Sequence, residues 1–228
     1  MISVLLPTRG RPSNVERLLT SSLETADTEV EFILYVDDDD HTGDATREVA
    51  ARLGATVHVG PRVVLSQMWN ECWRLARHDV VMHCGDDIVF RTNGWDTRVL
   101  AEFERFPDRI VLVHGRDGFQ DDRLATHGFL HRRWVETVGY LVPPYFSSDY
   151  NDTWNTEVAD ALGRRVYLPD VYTEHMHPVV GKGPLDQTHQ ERLARHRADD
   201  VARIYRDHAP ERTADVEKLR RVIEEYAE

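Results

Sequence analysis

Val80-Val81-Met82-His83-Cys84-Gly85-Asp86-Asp87-Ile88-Val89-Phe90 is an apolar run of strand length that stops at a glycine and two adjacent carboxylates, then resumes. A hydrophobic core has no use for two neighbouring anions at the mouth of a buried strand. Each loses hydration there, and each repels the other unless a cation sits between them. The pattern predicts that Asp86 and Asp87 leave the C-terminal end of a central strand to hold a divalent metal and its ligand. Gly85 lets the backbone turn and approach closely. An ordinary acidic turn after a strand produces the same local string, so the surrounding chain has to decide.

Upstream, Ile2 to Leu6 reads as a strand stopped by Pro7-Thr8-Arg9-Gly10-Arg11-Pro12. Ser13 can cap a helix carrying Val15, Leu18, Leu19 and Leu23 at helical spacing. A second strand, Val30 to Val36, ends in Asp37-Asp38-Asp39-Asp40. A helix over about 44–53, a strand over 55–59 and a helix over about 65–76 then lead to the central strand. This alternation predicts an α/β fold, a Rossmann-like and mostly parallel sheet with helices on both faces. In such sheets ligands gather outside the carboxyl ends of the strands. Thr8 to Arg11, Asp37 to Asp40 and Asp86-Asp87 would then meet at one edge. Arginines and a cation there suit the phosphates of a nucleoside diphosphate compound, and a carboxylate suits its base or ribose.

The bulk composition agrees with an enzyme-sized globular domain. The 228 residues can bury a full core. Their 28 Lys+Arg against 40 Asp+Glu give a formal charge of −12, which disfavours a general nucleic-acid or anionic-membrane binder. Cys72 and Cys84 lie in apolar contexts without metal-ligand spacing, and read as buried thiols in a reducing compartment. Strand-like sequence begins at Ile2 with no signal peptide ahead of it, and no apolar run is long enough to span a bilayer. A soluble, cytoplasmic protein is the expectation. The sequence shows no internal repeat and no low-complexity linker.

Residues 2–90 resemble the nucleotide-sugar-binding half of a GT-A-fold glycosyltransferase of the inverting family 2 group. The resemblance is carried by Pro7-Thr8-Arg9 after the first strand, Tyr35-Val36-Asp37-Asp38 at the end of the second, and Gly85-Asp86-Asp87 at the family's DXD motif. It implies a nucleotide-sugar donor, with a UDP-sugar favoured, and Mn²⁺ or Mg²⁺ as cofactor. It further implies that Pro7, Thr8, Arg9 and Asp37 border the nucleotide, that Asp38 hydrogen-bonds the nucleobase, and that Arg62 packs near the base or phosphates. Asp87 would coordinate the metal, and Asp86 would approach the ribose or metal. Gly85 stands where the family has its first acidic residue, so the metal needs ligands from elsewhere.

The second half should hold the acceptor and catalytic groups. A helix over about 94–103, a strand over 109–114, a strand over 127–131 and a helix over 132–139 follow in order. Gly115 to Arg123 reads as a mobile loop over the site or as plain surface. His131-Arg132-Arg133 is the most basic spot; it suits contact with an anionic acceptor, and an exposed helix start is the plainer reading. In the resembling family a helix beginning with an acidic pair carries the general base; here Asn151-Asp152 stands at that position. Inverting transfer needs a carboxylate on the acceptor side, so Asp152 is the first candidate and Asp149 the second, although either can simply cap the helix. Short strand-like pieces over 166–168 and 171–173 precede Glu174-His175-Met176-His177. If extended, His175 and His177 share a face, and the resemblance implies that one of them completes the metal shell. The loop around Lys182 would close over the diphosphate.

These readings give a GT-A-like domain over 1–185, with halves 1–90 and 91–185, and a C-terminal helical appendage over 186–228. The appendage shows two apolar stripes, Leu193, Val201, Ile204 and Tyr205, then Val216, Leu219, Ile223 and Tyr226. They pack on the domain or form a homodimer. A nucleotidyltransferase is one alternative, disfavoured by the short Pro7–Pro12 segment. A non-catalytic nucleotide-sugar-binding module is another, kept open by Gly85 and Asn151. The acceptor is unknown from sequence: a small molecule, a polysaccharide, a protein or a modified DNA base.

Overall fold

Strands β1 (Ile2–Thr8) and β2 (Val30–Asp37) are buried along their whole length, as strands covered on both faces must be. The computed structural model describes residues 1–227. β1 and β2 pair in parallel from Ile2 opposite Val30 to Thr8 opposite Val36. β3 (Thr56–Gly60) extends the sheet beyond β2, and β4 (Val80–His83) lies parallel on the other side of β1. Three crossover helices make the parallel pairing possible: α1 (Pro12–Thr25), α2 (Gly43–Arg52) and α3 (Leu65–Leu75). α1 turns Val15, Leu18 and Leu19 into the core on one face, and α3 buries Met68, Trp69 and Cys72 on the other. All the strands expected over 1–90 form, so the α/β reading of that half holds.

Beyond β4 the sheet becomes mixed. Its order is β3-β2-β1-β4-β7-β6-β8-β5, where β5 is Ile88–Phe90, β6 Leu112–Arg116, β7 Gly128–His131 and β8 Arg165–His175. β7 runs antiparallel to both β4 and β6. β8 starts parallel to β6, shifts register at Gly115/Arg116, and then pairs antiparallel with β5. That final pairing sets His175 opposite Ile88, one residue after Asp87. The Met176 N–H also donates to the Asp87 carbonyl at 2.7 Å. Two acidic and imidazole-bearing segments far apart in sequence are thus brought side by side by backbone register alone.

Two boundaries differ from expectation. The strand expected from Arg109 starts at Leu112, because Arg109 takes a left-handed φ of 62° and the Asp108 carboxylate accepts from the Ile110 N–H. The two pieces expected at 166–168 and 171–173 are one strand, β8, which runs through the exposed Pro169-Asp170 corner. The remaining helices are α4 (Trp95–Glu104), α5 (Arg132–Val138), α6 (Asn151–Leu162), α7 (Gln187–Asp199), α8 (Val201–Asp207) and α9 (Ala209–Glu225).

The C-terminal helices, expected as an appendage, pack against the rest of the chain. Val201 and Leu219 are fully buried, and α9 lies on α5 and α6. The buried Asp215 of α9 accepts from the Trp154 indole at 3.2 Å and from the Tyr140 hydroxyl. Tyr145 stacks on His208 at 3.8 Å, and Tyr150 on Tyr205 at 4.6 Å. The inward-facing part of the stripes is therefore used within the chain, the packing alternative of the sequence reading. Among the described residues, no helix is long and apolar enough to cross a membrane.

Candidate active site

The C-terminal ends of β1, β2 and β4 open into one cavity of about 660 Å³. Pro7, Thr8 and Arg9 line it from β1, Asp37 from β2, and Asp86 and Asp87 from the turn after β4. His175 and His177 line it from the end of β8, and Asp149 and Asp152 from the approach to α6. Ten of the twelve residues singled out in sequence therefore share one hollow. Asp38 and Arg62 do not line it. Asp38 is exposed, its N–H donating to the Gly60 carbonyl, and Arg62 is exposed and pairs with Glu191 of α7.

The two carboxylates of the quoted stretch have different surroundings. Asp86 is held by the Thr8 hydroxyl at 2.7 Å and the Arg11 guanidinium at 2.9 Å, yet burial pushes its pKa up. Asp87 is also buried, which opposes its charge, but His175 and His189 hold it well below the usual carboxylate range. Its Oδ2 faces His175 Nε2 at 3.4 Å and His189 Nε2 at 3.7 Å. The absence of a side chain at Gly85 is part of this arrangement. A Cβ there would stand 2.6 Å from Asp87 Oδ1.

Behind His175 sits Asp117, just past β6. Its Oδ1 accepts from the backbone N–H groups of Phe119, Gln120 and Asp121, and its Oδ2 lies 3.6 Å from His175 Nδ1. Burial disfavours a charged His175, but Asp117 and Asp87 together raise its pKa to about 9. His127 packs edge-on against His175 at 4.7 Å, and burial lowers its pKa to about 3. Both His127 ring nitrogens are buried without a hydrogen-bond partner. Asp117, His127 and His175 bring ligand atoms within 4.8 Å of one another, a spacing that can hold a metal ion. His177 stacks flat on Phe119 at 5.3 Å, and its Nδ1 accepts from the Val179 N–H. The Asp117–Arg123 turn therefore borders the site, with Phe119 and Gln120 lining the cavity.

The opposite wall is formed around α6. Tyr150, immediately before it, has a left-handed φ of 71°, a costly conformation for a bulky residue, and is clamped against Tyr205 of α8. Asp152 falls in the first turn of α6, with its Oδ1 accepting from the Thr153 N–H at 2.8 Å. Burial, with Asp149 nearby, raises its pKa to about 6, despite the hydrogen bonds that favour its charged form. Asp149 instead carries two partners, Arg192 and His196 of α7. The free carboxylate of the pair is Asp152.

Sequence reasoning placed Arg11 at the ligand edge only as part of the Thr8–Arg11 cluster, and missed Asp117, His127, Asp186, His189 and Arg192. Asp186 caps α7, accepting from the His189 N–H at 3.0 Å, and Arg11 forks onto it at 2.6 and 2.7 Å. The Asp-x-x-His spacing at a helix start was a visible signal for part of this set. The apolar stripes on the same helices drew attention away from it.

The family model described as Glycosyl transferase family 2 matches residues 3–169. No curated protein matches the sequence significantly. Among solved structures, the mannosyltransferase PcManGT from Pyrobaculum calidifontis in complex with GDP-Man and Mn²⁺ aligns with a TM-score of 0.63 at 16% identity, over 99% of this chain and 74% of that one. Glucosyl-3-phosphoglycerate synthase from Mycobacterium tuberculosis, in complex with Mn²⁺, UDP and glucosyl-3-phosphoglycerate, gives 0.58 at 17% identity, over 82% and 74%. S. aureus TarS 1-349 in complex with UDP-GlcNAc gives 0.58 at 14% identity, over 75% of this chain. The chain spans 57% of that TarS fragment. At these identities the likeness is one of fold.

Proposed function

The chain belongs to glycosyl transferase family 2, and from that premise we propose a metal-dependent, inverting transfer of a sugar from a nucleoside diphosphate donor, UDP favoured, to a hydroxyl acceptor. The observation that carries the reading is that one cavity holds the carboxylates after β4 and, on its other wall, the unpaired Asp152 with a pKa raised to about 6. A general base works best when its pKa lies near the operating pH.

The donor's nucleotide is assigned to the ends of β1 and β2, with Pro7, Thr8, Arg9, Asp37 and Asp38 around it and Arg62 at the rim. Arg9, paired with Asp37 at 3.0 Å and with Asp39, is positioned to exchange those partners for phosphate oxygens. Asp86, fixed by Thr8 and Arg11, is assigned to the ribose side. The metal is assigned to Asp87 with His175, His177 being the second imidazole candidate. The donor set fits: a buried carboxylate and a buried imidazole face each other at 3.4 Å, and a mixed oxygen and nitrogen set favours Mn²⁺ over Mg²⁺, which prefers oxygen alone. When bound, the ion supplies charge neutralisation for the departing diphosphate.

Asp152 accepts the proton of the acceptor hydroxyl as that oxygen bonds to the anomeric carbon and the bond from that carbon to the diphosphate oxygen breaks on the far side. The attack from the opposite face inverts the configuration. Asp149, held by Arg192 and His196, lies beside it and adds to the burial that keeps the Asp152 proton affinity high. The test is incubation with UDP-glucose, UDP-GlcNAc and GDP-mannose, each with and without Mn²⁺, following released nucleoside diphosphate. Metal-dependent release from one donor is expected. Nucleotide binding with no release from any donor, across a panel of acceptors, would make the chain a binding module instead.

A further inference from the structure

We propose a second metal site, distinct from the donor metal assigned above, in which Asp117, His127 and His175 hold Zn²⁺ where the ends of β6, β7 and β8 meet. It does not rest on the reading of sugar transfer. Asp117 follows β6, His127 precedes β7 and His175 closes β8. Backbone pairing brings the three together: β6 is bonded to both other strands, and the His175 N–H donates to the Asp117 carbonyl at 2.9 Å. One ligand atom from each side chain lies within 4.8 Å of the other two. The residues are 3%, 5% and 7% exposed, so they meet in the interior and not at a chance surface.

Four buried atoms on these residues have no hydrogen-bond partner: Asp117 Oδ2, His175 Nδ1 and both ring nitrogens of His127. Buried polar groups in native folds are nearly always paired, and a group of orphans calls for a cause such as an ion. Asp117 Oδ2 and His175 Nδ1 stand 3.6 Å apart. That is beyond the usual hydrogen-bond reach of about 3.2 Å and close to the ~3.3 Å between neighbouring ligands of a tetrahedral zinc ion. An imidazolium at His175, facing Asp117 on one side and Asp87 on the other, accounts for two of the orphans without a metal. It leaves His127 bare. An ion takes a lone pair from all three side chains at once.

The carboxylate is already turned for this task. Asp117 Oδ1 accepts from the N–H groups of Phe119, Gln120 and Asp121 at 2.8 to 2.9 Å, which leaves Oδ2 to face His175. Outer bonds of this kind orient a ligating carboxylate. Two imidazoles and one carboxylate suit Zn²⁺ better than the oxygen-preferring Mg²⁺ or Ca²⁺, and three protein ligands leave the fourth tetrahedral position to water. The ion ties three strand ends into one wall of the cavity, which His127 and His175 line. It also narrows the donor-metal assignment. With Nδ1 given to zinc, the His175 Nε2 keeps its proton and faces Asp87, and His177 is the imidazole left for the donor ion.

The experiment titrates the metal-stripped full chain with Zn²⁺ against a chromogenic chelator, and with Co²⁺ by visible absorption, both without nucleotide. One equivalent of Zn²⁺ is expected, and Co²⁺ should give the intense d–d bands of a four-coordinate ion that Zn²⁺ then abolishes. His127→Ala and Asp117→Asn should each weaken Zn²⁺ binding by more than the roughly 10–100-fold that loss of an outer partner costs. Asp117→Asn keeps the shape and the backbone hydrogen bonds at Oδ1, so its loss reports ligation even if His127→Ala fails to fold. Asp87→Asn should leave Zn²⁺ affinity unchanged. A native chain that binds no Zn²⁺ without nucleotide overturns the proposal, as does native affinity in Asp117→Asn. An equal loss in Asp87→Asn overturns it too, since the ion would then be the donor metal. Release of nucleoside diphosphate with Mn²⁺ is read separately, so failure of the proposed function and failure of this site are told apart.

Discussion

Asp152 and Gly85 make the most specific demands of any residues in the site. Asp152→Asn removes the proton acceptor, so turnover should fall by about 10²–10⁴-fold with donor affinity kept. The native kcat/KM should fall as pH drops through about 6, where the carboxylate takes up its proton. Stability should move the other way. The folded-state pKa lies above the ordinary 3.8, so the stability this group contributes is present at low pH and is lost as pH rises through about 6. Asp152→Asn should therefore raise the melting temperature at pH 8, by roughly 2–4 °C for each kcal/mol relieved, and leave it unchanged at pH 3.5. A helix-capping role would instead lower it at pH 8. Gly85 departs from the family's acidic pattern, and the geometry supplies a reason: a Cβ would press on Asp87 Oδ1. Gly85→Asp, which writes the family motif back into the chain, should weaken Mn²⁺ binding by at least tenfold, read by titration; tighter binding would show that the missing carboxylate was a lost ligand. Asp37→Ala and Asp38→Ala test whether the nucleotide is held by the expected base reader Asp38 or by its neighbour, since only Asp37 lines the cavity. The donor dissociation constant should rise more for Asp37→Ala, measured by calorimetry.

At the scale of elements, the parallel half was legible because its signals are local. β1, β2 and β4 are apolar runs that stop at polar clusters, and a parallel sheet must bring those stops to one edge. The acceptor half was less legible because its chemistry depends on register and on turns. Nothing in Asp117's neighbourhood marks it as a partner of His175; a bulge at Gly115/Arg116 and the pairing of β8 with β5 bring them together. His189 was hidden for a different reason. On a helix, apolar periodicity reports burial and is silent about a single polar residue facing inward. The α9–α6 contact makes its own prediction. Asp215→Ala would strand the Tyr140 hydroxyl and the Trp154 indole in a buried place, at about 1–3 kcal/mol for each unsatisfied group. A drop in melting temperature of several degrees is expected. Unchanged melting would mean that α9 packs without consequence for the site.

Over the whole molecule, the donor half and the C-terminal helices close on each other across the cavity. Arg11, at the head of α1, forks onto Asp186, 175 positions later. That clasp has a temporal meaning as well as a spatial one. A chain leaving the ribosome completes β1 to β4, with its crossovers, long before α7 exists. The half-formed sheet edge, with Asp86 and Asp87 at its mouth, spends that interval without the cation-bearing wall that later faces it. Long-range closures of this kind come late in folding because the intervening loop must be ordered first. The parallel half of the sheet can thus form before the helix that walls its open edge, and the proposed chemistry waits on α7.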